Sequence, residues 1–171
     1  MSHKLTHPII MGVDPGTLVA GWGIISLYES TLIPLDFGCI KPSSKMLLTD
    51  RYLVLFESME HLLDRYQPTA LAVETQFVNK NSQSALKLGM ARAALILPAK
   101  KRKIPVFEYA PSKIKLSVSG RGNASKRQVQ SMVKTLLNLD QLPEPEDAAD
   151  ALACALCHEH MARYHEVLGE F

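Results

Sequence analysis

The sequence predicts an α/β domain whose mixed sheet is covered by helices, and three observations carry that expectation. Short apolar runs end on turn residues in the first forty positions, an apolar stripe of helical period follows, and short strands then alternate with helices. The chain has 171 residues. That length is most simply one domain, able to bury roughly 70% of the surface its unfolded form exposes.

Taken in order, Ile9–Asp14 is an apolar run closed by Pro15-Gly16. Trp22–Tyr28 and Leu32–Ile40 follow as two strands joined through Glu29-Ser30-Thr31, which gives an antiparallel meander. From Leu48 to Tyr66 the apolar residues Tyr52, Leu55, Phe56, Met59, Leu62 and Leu63 recur at helical spacing, and Pro68 stops the helix. Leu71–Glu74 reads as a buried strand, Ser82–Leu97 as a helix and Val106–Tyr109 as a strand before Pro111. Ser112–Val118 reads as a short helix, ended by Gly120-Arg121-Gly122-Asn123. Lys126–Leu139 and Asp147–His165 are helices separated by the turn Leu142-Pro143-Glu144-Pro145. The expected organisation is a polar extension over residues 1–8, one domain over 9–165 and a short tail over 166–171.

Composition excludes several classes. The apolar runs fall far short of the ~20 residues that span a bilayer, so no membrane role is expected. The N-terminus lacks the apolar stretch of about 7–15 residues that would mark export, and the default location is the cytoplasm. The three cysteines are an odd number without repeated spacing, which argues against a disulfide framework. The net charge of +2 conceals an asymmetry. Residues 98–139 carry ten basic side chains against Glu108 alone, whereas residues 140–171 carry eight acids against Arg163 alone. A basic half suits a polyanion and an acidic half suits metal ions, although two ordinary solvated faces would read the same way.

Four carboxylates stand in apolar frames: Asp14, Glu74, Asp147 and Asp150. Burying a carboxylate is costly unless something pairs with it. No lysine or arginine lies within five residues of Asp14, Asp147 or Asp150, so a hard divalent metal with oxygen ligands is the simplest partner. Asp14 and Glu74 fall at strand C-termini, where α/β sheets build their sites. Asp147 and Asp150, three apart, share a helix face in its first turn. Each has a structural alternative: Asp147 as a helix cap, Asp14 as a turn residue, Glu74 as a strand end.

The segments Gly12-Val-Asp-Pro-Gly-Thr-Leu-Val-Ala-Gly-Trp-Gly, Ala72-Val-Glu-Thr-Gln-Phe, Asn81-Ser-Gln-Ser-Ala-Leu-Lys-Leu-Gly-Met-Ala-Arg, Val106-Phe-Glu-Tyr-Ala-Pro and Asp147-Ala-Ala-Asp-Ala-Leu-Ala carry a family likeness. In order and spacing the chain resembles the RuvC-type Holliday junction resolvases from about Ile9 to His160. Thr17, where that family often has serine, and the N-terminal extension are the departures. The resemblance implies a ribonuclease H-like fold with a five-stranded mixed sheet and a homodimer that cuts two strands of a four-way DNA junction symmetrically. It also implies Mg²⁺ or Mn²⁺ at Asp14, Glu74, Asp147 and Asp150, and a branch-migration helicase as partner. Phe77 matches a family aromatic that stacks on bases, and Lys115 and Lys126 match basic residues near the scissile phosphate.

The chemistry of the residues agrees. Phosphodiester hydrolysis needs an activated water, neutralisation of charge on phosphorus and stabilisation of the leaving oxygen, and two metals ~4 Å apart supply all three. The expected roles are Asp14 on both ions, Glu74 and Asp150 on one each, and Asp147 completing the shell or orienting water. Arg121 sits in a glycine-flanked loop able to approach a backbone closely. Lys126 has the alternative of a surface helix start and Phe77 that of a core aromatic. The helix Ser82–Leu97 carries Ala85, Leu86, Met90, Ala93 and Ala94, which suit either a dimer seam or its own sheet.

Other motifs point less far. Cys154-Ala-Leu-Cys157-His158 spells a haem-attachment motif, yet both cysteines share an apolar helix face and read as core packing. Lys100-Lys101-Arg102-Lys103 reads as a solvated helix end touching DNA. Actin-like ATPases share the Asp-Pro-Gly loop but need a duplicated domain, for which this chain is too short. A junction-binding protein without catalysis is the remaining alternative.

Overall fold

The computed structural model describes residues 7–75 and 82–168. Its elements are β1 (Ile9–Asp14), β2 (Ala20–Tyr28), β3 (Thr31–Ile40), α1 (Leu48–Tyr66), β4 (Ala70–Glu74), α2 (Ser82–Lys101), β5 (Val106–Tyr109), α3 (Pro111–Ser119), α4 (Lys126–Leu136) and α5 (Glu146–Leu168). One mixed five-stranded sheet results, in the order β3-β2-β1-β4-β5. The first three strands form the expected antiparallel meander, and β4 and β5 run parallel to β1.

Side-chain alternation on the central strands builds two cores. Met11, Val13, Ile24, Leu71 and Val73 point to one face, where Leu55, Met59 and Leu63 of α1 and Ala91 and Leu95 of α2 cover them. Ile10, Ile25 and Ala72 point to the other, under Ile114 and Val118 of α3, Val129 and Val133 of α4, and the apolar run Leu152–Cys157 of α5. Cys154 and Cys157 are fully buried there, as core packing requires.

Four helices differ at their ends from the sequence reading. α2 continues through Pro98 to Lys101 because Pro98 is buried together with Ala94, Leu95 and Ala99, and packing outweighs the lost amide. α3 takes Pro111 as a first-turn residue, where proline's missing N–H costs nothing. α4 ends at Leu136, three residues early, and α5 runs to Leu168, past His165 and into the segment read as a tail. The basic run after Pro98 is also corrected. Lys101 pairs with Glu60 at 3.0 Å, and Arg102 with Glu60 at 3.2 Å and Asp64 at 2.7 Å, so these two cations tie α2 to α1.

α5 lies directly against the backbone of the strands beneath it. A Cβ on Gly12 would stand 2.0 Å from the Ala151 carbonyl oxygen, and one on Gly21 would stand 1.8 Å from the Asp147 carbonyl oxygen. Gly21 is the cross-strand partner of Asp14, and Gly23 that of Gly12. The helix therefore rests on backbone, with Ala148, Ala151 and Ala155 as its own small surface. Gly21→Ala is expected to lower stability by about 2–3 kcal/mol, read from the urea midpoint. Gly89, with open space around it on α2, is the control: Gly89→Ala should gain about 0.5–1 kcal/mol.

Candidate active site

Three elements bring the four carboxylates to one sheet edge. Val13 of β1 is level with Val73 of β4 in a parallel ladder, so Asp14 and Glu74 leave neighbouring strands side by side. The glycine contact sets the first turn of α5 beside them, carrying Asp147 and Asp150. Asp147 is the second helical residue and not the cap, since Ala148 and Ala149 donate their N–H groups to the Pro145 carbonyl.

Their electrostatics show mutual strain. Burial, then repulsion from Glu74, Asp150 and Asp147, pushes the Asp14 carboxyl up to about 7. Burial and Asp150 push Glu74 up to about 7 as well, against the pull of Lys126 and Lys115. Burial raises Asp150 too, although Lys126 opposes it. The Lys126 ammonium lies 3.2 Å from Asp150 Oδ2 and 3.9 Å from Glu146, and the Asp150 carboxylate holds it charged. The sequence reading assigned these acids no cationic side chain; the fold supplies one from 24 residues away. Glu74, Asp150, Lys115 and Lys126 line a common cleft of about 140 Å³.

A metal fits this donor set. Among the described residues no three His, Cys, Asp or Glu side chains stand already closed around a point. An all-oxygen, anionic and partly desolvated group of this kind suits a hard divalent ion, whose charge would reverse the upward shifts.

The comparisons agree with the geometry. The model of the crossover junction endodeoxyribonuclease RuvC family matches residues 10–158. The chain is 57% identical over 153 residues to a protein of that name from Protochlamydia amoebophila, covering 90% of this chain and 91% of the relative. It is 52% identical over 158 residues to the one from Chlamydia pneumoniae, covering 91% and 94%. This chain belongs to the RuvC family. It is a nuclease that hydrolyses phosphodiester bonds, and RuvC-family nucleases are metal-dependent. The solved structure of Thermus thermophilus RuvC in complex with a Holliday junction substrate superposes with a TM-score of 0.87 at 33% identity, over 92% of this chain and 96% of that one. The yeast mitochondrial Holliday junction resolvase shares the fold, with a TM-score of 0.64 at 16% identity over 95% of this chain and 83% of that one.

The structure gathers Asp14, Glu74, Asp147, Asp150, Lys115 and Lys126 of this RuvC-family chain into one neighbourhood. Arg121 lies apart, on an open groove of about 660 Å³ that it lines with Ser125 and Arg127. Phe77 lies outside the described residues. The sequence reading missed Cys39, which the strand register places two strands from Asp14 through Gly21. Its half-buried thiol is pushed up by burial and by the Asp147 carboxylate. Only cross-strand pairing reveals it, because a lone cysteine carries no sequence signal.

The raised carboxyls fix a sign for stability. Between their ordinary values, 3.8 for Asp14 and 4.5 for Glu74, and about 7, the folded chain holds protons that the unfolded chain has released. Without metal, stability therefore falls as pH rises through that window. Asp14→Asn should stabilise the metal-free protein by on the order of 1–2 kcal/mol at about pH 8 and by little at about pH 5. Thermal unfolding at both pH values checks this, and added Mg²⁺ should stabilise the parent chain but not the variant.

Proposed function

We propose that this chain resolves four-way DNA junctions as a homodimer, cutting two strands symmetrically, and that residues 9–168 form its single nuclease domain. The convergence of four carboxylates from three separate elements beside Lys115 and Lys126 carries the reading. Its substrate is supported by the likeness to a RuvC bound to a Holliday junction.

Asp14, Glu74, Asp147 and Asp150 would hold divalent ions, two Mg²⁺ with Mn²⁺ able to substitute. When bound, such ions supply an activated water and neutralise charge on the phosphoryl group and leaving oxygen. The chain's own residues do the rest. Asp14 would serve both ions, Glu74 and Asp150 one each, and Asp147 would complete the shell or orient the water. Lys126 leaves Asp150 for the incoming phosphate, and Lys115, on the same cleft, holds the phosphate against the acids. Arg121 on the neighbouring groove grips the backbone further along the strand, and Phe77 stacks on an unpaired base at the junction.

The dimer reading rests on α2. Its inner face, Ala91, Ala94 and Leu95, packs on the protein's own core, while Leu86, Met90 and Leu97 remain 67%, 48% and 56% exposed. These residues fall at helical spacing with Ala93 and form an apolar stripe suited to a second copy. Of the two uses of this helix weighed from sequence, burial on its own sheet is observed at the inner face, and the exposed stripe supports the proposal of the other. A branch-migration helicase is the partner that the family implies. Among the described residues no helix is long and apolar enough to cross a membrane; action in the cytoplasm belongs to the same proposal.

The deciding assay offers purified protein a synthetic four-way junction and a linear duplex of the same sequence, with and without Mg²⁺. Paired, symmetric cuts in the junction alone, dependent on metal and lost in Asp14→Asn, are expected. Equal cutting of the linear duplex would refute junction specificity, and tight binding without cutting in either metal would refute catalysis. Lys115→Ala should weaken junction binding and lower the slope of log affinity against log salt by about 1. An unchanged slope would exclude a phosphate contact at Lys115.

A further inference from the structure

At the end of the sheet opposite Asp14 and Glu74, the last turns of α5 and the starts of β1 and β4 enclose a second cleft, of about 480 Å³. Leu27, Ala70 and Ala162 give it apolar walls, and Glu159, Arg163 and Glu166 supply its charge. Its volume falls in the range of small-ligand sites, about 300–1,000 Å³.

Glu159 is the unusual member. Its side chain is 3% exposed, the deepest carboxylate lining this cleft. Oε1 accepts a hydrogen bond from Arg163 Nε. Oε2 is closed off from solvent and has no hydrogen-bond donor. The His160 Nε2 atom, 3.9 Å away, is beyond hydrogen-bonding distance. Arg163 Nη2 donates to the Ser30 carbonyl at 3.2 Å and ties the guanidinium to the β2–β3 turn. A buried carboxylate oxygen with no donor is costly to maintain, and a second carboxylate on the rim, Glu166, leaves the charged lining net negative.

We propose that this cleft binds an aliphatic cation: a primary ammonium or guanidinium group on a hydrocarbon stem, with Glu159 Oε2 accepting its N–H. The apolar walls cover the stem as they would cover a lysine stem within a protein. The half-exposed Arg163 side chain swings aside from Ser30 to admit it. Free diamines and a lysine or arginine side chain of a partner protein share this chemistry.

The test is an amide ¹H–¹⁵N titration of the full chain with cadaverine, with lysine blocked at its α-amino and carboxyl groups, and with pentanol as the neutral isostere. Saturable shifts at Leu27, Ala70 and Ala162 with either amine, and none with pentanol, are expected. Tighter binding of cadaverine would identify a free diamine, and tighter binding of blocked lysine a partner side chain. Glu159→Gln should weaken binding at least about tenfold. Ala162→Leu, which fills the cleft and leaves the carboxylate in place, should abolish it and guards against a Glu159 variant that fails to fold. The absence of saturable shifts with both amines would overturn the proposal. So would equal binding by pentanol, or undiminished binding in either variant.

Discussion

The arrangement of this molecule depends on the approach of α5 to the backbone of β1 and β2. A helix normally stands off a sheet by the depth of two side-chain layers. Here Gly12 and Gly21 remove one layer, and the alanines at 148, 151 and 155 thin the other. The gain is positional. Asp147 and Asp150 come within electrostatic reach of Asp14, which a helix held at ordinary distance would place too far out. Any β-carbon on Gly12 or Gly21 would meet carbonyl oxygen, an atom with no flexible end to move aside, so the contact tolerates little adjustment.

That same proximity creates the site's electrostatic tension. Burial and repulsion between neighbouring carboxylates raise the proton affinity of Asp14, Glu74 and Asp150, and Lys126 hydrogen-bonds Asp150 while pulling on the other two through space. A fold could lower this cost by spreading the acids or by placing an arginine among them. This one keeps them together and carries the balancing cation on a side chain 66% exposed at the start of α4. Function and stability pull in opposite directions at such a site, and a divalent ion bound there would reconcile them.

Much of the fold was legible because its signals are local. The apolar period of α1, the turn residues after β1 and β2, and the strand at Leu71–Glu74 each declare themselves within a window of a few residues. The boundaries that moved were those set by burial. Pro98 stays helical because its ring is needed in the core, and the cations at Lys101 and Arg102 turn inward to Glu60 and Asp64 on a helix that sequence distance hides. The four site carboxylates were also legible, because charge inside apolar sequence is an anomaly wherever it falls.

The sequence by itself determined the order of elements, the pairing of basic and acidic halves, the four acids and the family to which they belong. These follow from composition, period and motif, all readable along one dimension. Tertiary structure alone decided that Gly12 and Gly21 are the seat of α5, that Lys126 is the cation beside Asp150, that Cys39 borders the site, and that Glu159 keeps an oxygen without a donor. Each of these is a relation between residues distant in the chain, or between backbone and side chain. Such relations come into being only when strand register and helix packing bring the two partners together.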